Sequence, residues 1–377
     1  MIRQPNPTNG AGKMPRPMEY GSAQRAPLDG LRGYSQSTSG SSSPSLSDSD
    51  PRSSSPASSM SSMSSTSTVN SDRADAFFRT VCGRELNTMN TAYVLPADDA
   101  EVKRLEQEHR LLKFVLNANY VGNIGETLAS SKATEKRIID CGTGSGLWCI
   151  EVAEEFPKAA VIGVDLAPIQ PREVPPNCSF ELFDLDGQQL PYPDCYFDVI
   201  HVRSVYTGIR NYPLFLRECA RVLRKNGLII LAEADSTPLT DNKRVMSPEN
   251  APGWTALWNE YRRGLTNNGF DITIPTRLRA LLQEITCLKD NIIAQEALVP
   301  IGFWPKDQTL LTIGQLSWMN QDNLLPALIP HLVTVNGLSE AQAQKLVELA
   351  QKDLYFPQIR PFVCWHFAYA RKSNTVR

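Results

Sequence analysis

The sequence predicts an α/β fold, a parallel sheet with crossover helices, and three observations carry that expectation. From Arg137 short β-rich runs alternate with helical segments: RIIDC, LWCIEVAEEF, AVIGVD, SFELFD, FDVIHV, LFLRECARVLRKNG and GLIILAEA. That strand, helix, strand order is the signature of a parallel sheet whose strands are joined across its faces. The first run enters a helix through a turn containing Gly142, Gly144 and Gly146. The next β-rich run ends on an acid, Asp165, about 20 residues past the last glycine, the register expected of a nucleotide-type ligand site.

Taken in order, residues 1–75 are expected to form a disordered Ser/Pro-rich tail, since their polar composition buries too little apolar area to offset chain entropy of about 1–2 kcal/mol per residue. Ser43 and Ser55, each followed by proline, are candidate phosphorylation sites that would each add about 1.5–2 negative charges. Cap helices are expected over 76–136. One of them covers about 98–117, where Val102, Leu105, Leu112 and Leu116 keep helical spacing behind Asp98 and Asp99 as N-cap and first-turn acid. The ligand-binding core is expected over 137–235, with Gly227 as the glycine that stops the LFLRECARVLRKN helix.

The remainder, 236–377, reads as a helical insertion with closing strands. Trp254, Leu257, Trp258, Tyr261 and Leu265 share one face of a helix that ends at Asn268-Gly269, and Ser339 caps the helix SEAQAQKLVELAQKDL. ALVPIGFW and PFVCWHFAYARK read as strands.

Composition narrows the function classes. Hydrophobic residues make up 41% and charged residues 21%, ordinary globular usage. The 38 basic and 40 acidic residues leave a formal charge of -2, so no global positive field draws in nucleic acid or anionic lipid. Eight cysteines contain no CxxC pair and no histidine at metal-ligand spacing, which speaks against a metal site and against a disulfide scaffold. His331 and His366 are therefore left without a role. No apolar run approaches the roughly 18 residues of a spanning helix. The expectation is an intracellular chain, cytoplasmic or nuclear, with no membrane or direct nucleic-acid partner.

The glycine turn, IIDCGTGSG, lies at the carboxyl end of the first core strand, where ligands settle in open α/β sheets. Glycines at 142, 144 and 146, with Thr143 between, let the backbone approach a ligand closely. Two cofactors compete for such a turn. A dinucleotide prefers GxGxxG and sets a pyrophosphate over it, and the Asp140 carboxylate would oppose that charge. S-adenosylmethionine instead presents an ammonium and a sulfonium, to which Asp140 is suited. Asp165, followed by Leu166, can accept from ribose hydroxyls of either. Asp184 and Asp186 follow the third strand and compete for the adenine amino group, a turn or cap role being the alternative for both.

At these residues the chain resembles the class I, seven-stranded S-adenosylmethionine-dependent methyltransferases, and more narrowly the fungal LaeA-like group. The narrower resemblance begins with Tyr93, Leu95, Pro96, Asp98, Glu101, Arg104, Leu105 and His109, with Glu108 where the group has Gln. It continues through IIDCGTGSGLWCIEVAEEFP, VIGVDLAPIQP, VPPNCSFELFD and FDVIHVRS to PIGFWPKD, covering about residues 90–371. It implies a Rossmann-like seven-stranded sheet with helices on both faces, a last strand inserted antiparallel, and a leader helix over the cofactor. The polar stretch LFDLDGQQLPYPDCY departs from the group toward small-molecule methyltransferases.

Methyl transfer from a sulfonium is an in-line displacement with a good leaving group, so alignment does much of the work and a general base is optional. His201 and Glu233, near predicted strand ends, are the candidates where a base is needed; a satisfied structural histidine is the competing reading of His201. Arg203 is a candidate to hold the cofactor carboxylate or an anionic substrate, against a structural ion pair. Tyr206, Tyr212 and the aromatics Trp254, Trp258, Phe303, Trp304, Trp318 and Trp365 line an acceptor pocket or simply pack. The expected function is methyl transfer to a small-molecule or protein acceptor, linked to fungal secondary metabolism. The alternatives are a regulatory scaffold that meets protein partners through its Ser-rich tail and, more remotely, an NAD(P)-dependent oxidoreductase.

Overall fold

The computed structural model describes residues 76–241 and 243–373; the expected tail, with Ser43 and Ser55, lies outside the described residues. The first described elements are strands where cap helices alone were expected. β1 (Phe78–Val81) and β2 (Arg84–Asn87) pair antiparallel around Cys82 and Gly83, whose φ angles of 49° and 72° make the left-handed two-residue turn that matches strand twist. A Cys-Gly turn is a weak hairpin signal beside Asn-Gly, so the sequence pattern hid it.

α1 (Asp99–Leu116) follows, as expected, with Asp98 as N-cap accepting from the Glu101 amide. Arg84 of the hairpin holds the same carboxylate at 2.6 and 2.8 Å, which ties the hairpin to the helix start. α2 (Ile124–Ser130) leads into the sheet.

The sheet strands are β3 (Lys136–Cys141), β4 (Ala159–Asp165), β5 (Cys178–Leu182), β6 (Phe197–Arg203), β7 (Leu223–Ala234), the two-residue β8 (Leu239–Thr240), β9 (Ile293–Pro300) and β10 (Pro361–Arg371). Their order is β5-β4-β3-β6-β7-β10, with β8 and β9 both pairing β10. β3 to β7 run parallel, and β10 lies antiparallel to each of its neighbours. Seven strands with a reversed last strand match the expectation, β8 being an addition. The chain works outward from β3 to β5, then returns to β6 on the other side of β3. That reversal opens a crevice at the carboxyl end of β3.

α3 (Leu147–Glu155) joins α1, α2 and α7 (Gln308–Ala327) over one apolar face, burying Leu111, Ile124, Trp148 and Ile313 against Ile138, Val161 and Val199. α4 (Tyr212–Val222) and α6 (Ile274–Gln283) cover the other through Tyr212, Leu216, Leu278 and Leu282. α5 (Pro252–Asn267), α8 (Ile329–Thr334) and α9 (Glu340–Tyr355) bury a third cluster around Trp254, Leu257, Leu332 and Val347. Ser339 caps α9 in a complete capping box with Gln342.

Gly227 does not end a helix. α4 stops at Val222, and Gly227 lies inside β7, where a Cβ would come within 2.8–2.9 Å of the Arg224 and Asp198 carbonyl oxygens. Close backbone approach, rather than helix termination, calls for glycine there; the left-handed residue is its neighbour Asn226.

Candidate functional site

The turn between β3 and α3 is built around left-handed glycines at φ 75°, 56° and 79° for Gly142, Gly144 and Gly146. Two of the three are also hemmed in by side chains: a Cβ on Gly142 would stand 2.4 Å from Val205 Cγ1, and one on Gly146 2.5 Å from Phe180 Cζ. The turn is tied to the end of β4 by Asp165, whose Oδ2 accepts from the Gly144 amide at 2.7 Å while Oδ1 accepts from Leu166 and Ala167 at 2.7 and 3.3 Å. Burial pushes the Asp165 carboxyl up to about 6 against those three donors. An ionised carboxylate has about four acceptor positions, so roughly one is left for a ligand hydroxyl.

A cleft with an empty volume of about 970 Å³, its open mouth included, lies over this turn. Gly142, Thr143, Gly144, Asp165 and Leu166 form its floor, and Asp184 and Arg203 its sides. Tyr93, Leu105, Glu101 and Glu108, from the leader and α1, close it from above.

The leader supplies a charge network that reading the core motifs alone missed. Buried Arg104 donates to Glu101 Oε1 at 2.7 and 3.0 Å, to Glu108 Oε2 at 2.8 Å and to Asn320 of α7 at 3.1 Å. Ser204 donates to the other Glu108 oxygen at 3.0 Å. Burial opposes ionisation of Glu108, yet the Arg104 charge and hydrogen bonds hold its carboxyl below the usual range. Glu101 Oε2 is buried without a partner. His109 Nδ1 accepts from Arg203 at 3.2 Å, and its Nε2–H reaches Glu151 at 3.1 Å. Burial and the nearby Arg203 push the His109 imidazole down to about 4, so it is neutral and orients Arg203 at the cleft wall. The helical spacing of Glu101, Arg104 and Glu108 was the available signal, since i, i+3 and i+4 place them on one face.

Several expected residues lie elsewhere. Asp140 does not face the cleft; its carboxylate, 2% exposed, accepts from His201 Nδ1 at 2.7 Å and Thr143 Oγ1 at 2.8 Å. His201 stacks on Trp148 with ring centroids 3.9 Å apart. Burial lowers its pKa, so a neutral imidazole donates to an ionised Asp140, and the histidine takes the structural role. Gly146 faces Phe180 and Gln170 rather than the cleft. Of the two competing acids, Asp184 lines the cleft and accepts from Asn90 at 3.2 Å. Asp186 turns away to Arg210, which binds it at 2.6 Å.

Glu233 is fully buried under Tyr212 and the Val205 amide, outside the cleft lining. Tyr206 and Tyr212 are also buried outside that lining. Trp254, Trp258 and Trp365 are core, Phe303 is exposed, and none of the six expected aromatics lines the cleft.

A reversed-last-strand sheet, a glycine turn at the switch point and an acidic cleft beneath a leader helix are the arrangement that the resemblance to class I methyltransferases implies. Comparison with known proteins agrees: residues 115–284 match the family model of a methyltransferase domain. A secondary metabolism regulator laeA from Coprinopsis cinerea is 36% identical over 177 residues, 46% of this chain and 44% of that one. Methyltransferase str2 from Strobilurus tenacellus is 26% identical over 284 residues, 75% of this chain and 97% of its own length. The protein-methionine methyltransferase laeA of Emericella nidulans is 34% identical over 155 residues, 41% of this chain and 39% of that protein. The chain thus spans less than half the length of the laeA relatives. Over the matched segment it is similar to the LaeA-like group of fungal methyltransferases.

Among the described residues no helix is long and apolar enough to cross a membrane.

Proposed function

We propose that the chain uses S-adenosylmethionine to methylate a small-molecule or protein acceptor in fungal secondary metabolism. The observation that carries this reading is the charge of the cleft. Glu101, Glu108, Asp165 and Asp184 line it against a single lining cation, Arg203. With Arg104 paired to Glu101 and Glu108 behind the lining and Arg203 in it, the four carboxylates still outnumber the two cations, which disfavours a pyrophosphate and favours a ligand that carries a sulfonium and an ammonium. When bound, that cofactor supplies a methyl group on a good leaving group.

The residues of the chain then have defined tasks. Asp165 offers its remaining acceptor position to ribose hydroxyls, and Asp184 is placed to accept from the base. Arg203, steadied by neutral His109, pairs with a carboxylate. Glu101 Oε2, already stripped of water and unpartnered, is the acceptor best placed for an ammonium. Leu105 and Tyr93 exclude water from above. His201 and Glu233 stand outside the cleft lining, which favours catalysis by alignment over catalysis by a histidine base. One relative is named for methylating protein methionine. A thioether acceptor is a neutral nucleophile that carries no proton to remove, a chemistry such a cleft accommodates.

Isothermal titration of the full chain with S-adenosylmethionine and with NAD tests the reading. Binding of the former, lost in Asp165→Ala and Gly144→Val, is the expected result. Tight NAD binding with no response to S-adenosylmethionine overturns it. A labelled methyl donor added to cell extract with the chain then identifies the acceptor.

A further inference from the structure

Away from the cleft, the edge of the sheet assembles three side chains of different chemistry. Cys364 and His366 are two apart on β10, and successive strand residues alternate faces, so both side chains stand on the same side of the sheet. Glu296 of β9 is the direct cross-strand partner of His366. A sulfur, an imidazole nitrogen and a carboxylate oxygen from these three residues lie within 4.8 Å of one another. The backbone beneath is rigid, because β10 is paired on both sides, to β7 and to β9.

We propose that Cys364, His366 and Glu296 bind a divalent cation of the zinc class. Zinc takes thiolate at about 2.3 Å and imidazole or carboxylate at about 2.0–2.2 Å, which sets tetrahedral ligand atoms roughly 3.3–3.7 Å apart. Closing the observed cluster therefore takes only about an ångström of side-chain rotation. Three protein ligands leave the fourth position to water, and the exposure of Glu296 and partial exposure of His366 give the ion a route in. On binding, the Cys364 thiol loses its proton to solvent, His366 ligates as neutral imidazole, and sulfur, nitrogen and oxygen each donate an electron pair to the ion.

The electrostatics suit a bound cation. Burial, then Glu296 and Asp235, push the Cys364 thiol up to about 12, and a cation reverses the effect of both carboxylates. Burial lowers His366 toward the neutral form that a metal requires. Lys243 is the competing cation: half-exposed, it pairs with Glu296 and must swing away. Hard oxygen-seeking ions such as magnesium are poorly matched to a buried sulfur, which restricts the site to borderline and soft metals.

Cobalt(II) is the probe, because a cobalt–thiolate bond produces a near-ultraviolet charge-transfer band. The untagged full chain, kept reduced and stripped with a chelator, is titrated with cobalt and then with zinc. The expected result is a thiolate band saturating at one equivalent and abolished by zinc. Cys364→Ser should remove the band although seven other cysteines remain, and Glu296→Gln, a surface change that leaves the core intact, should weaken binding at least tenfold. Lys243→Gln should tighten it. Absence of a saturable band, a band that survives Cys364→Ser in a chain still folded by circular dichroism, or an affinity unchanged in Glu296→Gln overturns the proposal. These outcomes are independent of whether the cleft binds S-adenosylmethionine.

Discussion

Glu233, next to the last residue of β7, is fully buried, with Oε1 accepting from the Tyr212 hydroxyl at 3.0 Å and the Val205 amide at 3.3 Å, and with Oε2 unpartnered. Burial dominates these hydrogen bonds and pushes the carboxyl from 4.5 up to about 8. The folded chain therefore keeps a proton that the unfolded chain has lost throughout the interval between those two values. The stabilisation is complete below the unfolded value, declines as pH rises, and is gone once pH passes the folded value. Within the interval unfolding free energy falls by about 1.4 kcal/mol per pH unit from this group alone. Between about pH 5.5 and about pH 7.5 the loss is about 3 kcal/mol. Glu233→Gln keeps the accepting oxygen and removes the titration. Urea unfolding of both chains at the two pH values, followed by tryptophan fluorescence, should show the native chain losing about 3 kcal/mol relative to the variant. Parallel stability curves for the two would refute the reasoning, because they would mean that Glu233 is already ionised in the fold.

Two further substitutions probe the cleft. Gly142→Ala forces a left-handed alanine whose Cβ stands 2.4 Å from Val205 Cγ1, so about 1–3 kcal/mol of stability should be lost; adding Val205→Ala should recover only part of it, as read by thermal melting. Arg104→Met removes the guanidinium between two buried glutamates and should cost about 3–5 kcal/mol, while the pair Arg104→Met with Glu101→Gln should recover much of that loss in denaturant titration.

Legibility in the sequence followed the range of the interactions. α1 was readable because its apolar spacing and the Asp98 cap act within a few residues, and Ser339 announced α9 by the same local chemistry. Asp165 was readable because the strand-to-strand distance in such a unit is nearly constant. Asp140 was misplaced because its partner, His201, comes from β6, and the choice between a ligand and a buried histidine depends on which side of β3 that ring packs. The same holds for Asp186, which Arg210 draws away from the cleft. The β1–β2 hairpin went unread because two positive φ angles were met by Cys-Gly, a pair with little turn preference of its own.

By itself the sequence determined the α/β class, the strand carrying the glycine turn and the acid at the end of the next strand, all matters of local periodicity and backbone geometry. Only the tertiary structure decided which carboxylates line the cleft, which histidine is spent on holding an aspartate, and that Glu296 meets Cys364 and His366. Those outcomes depend on strand order and on side-chain partners drawn from distant segments. Burial then sets the charge of each group, and no spacing along the chain encodes how deeply a residue is buried.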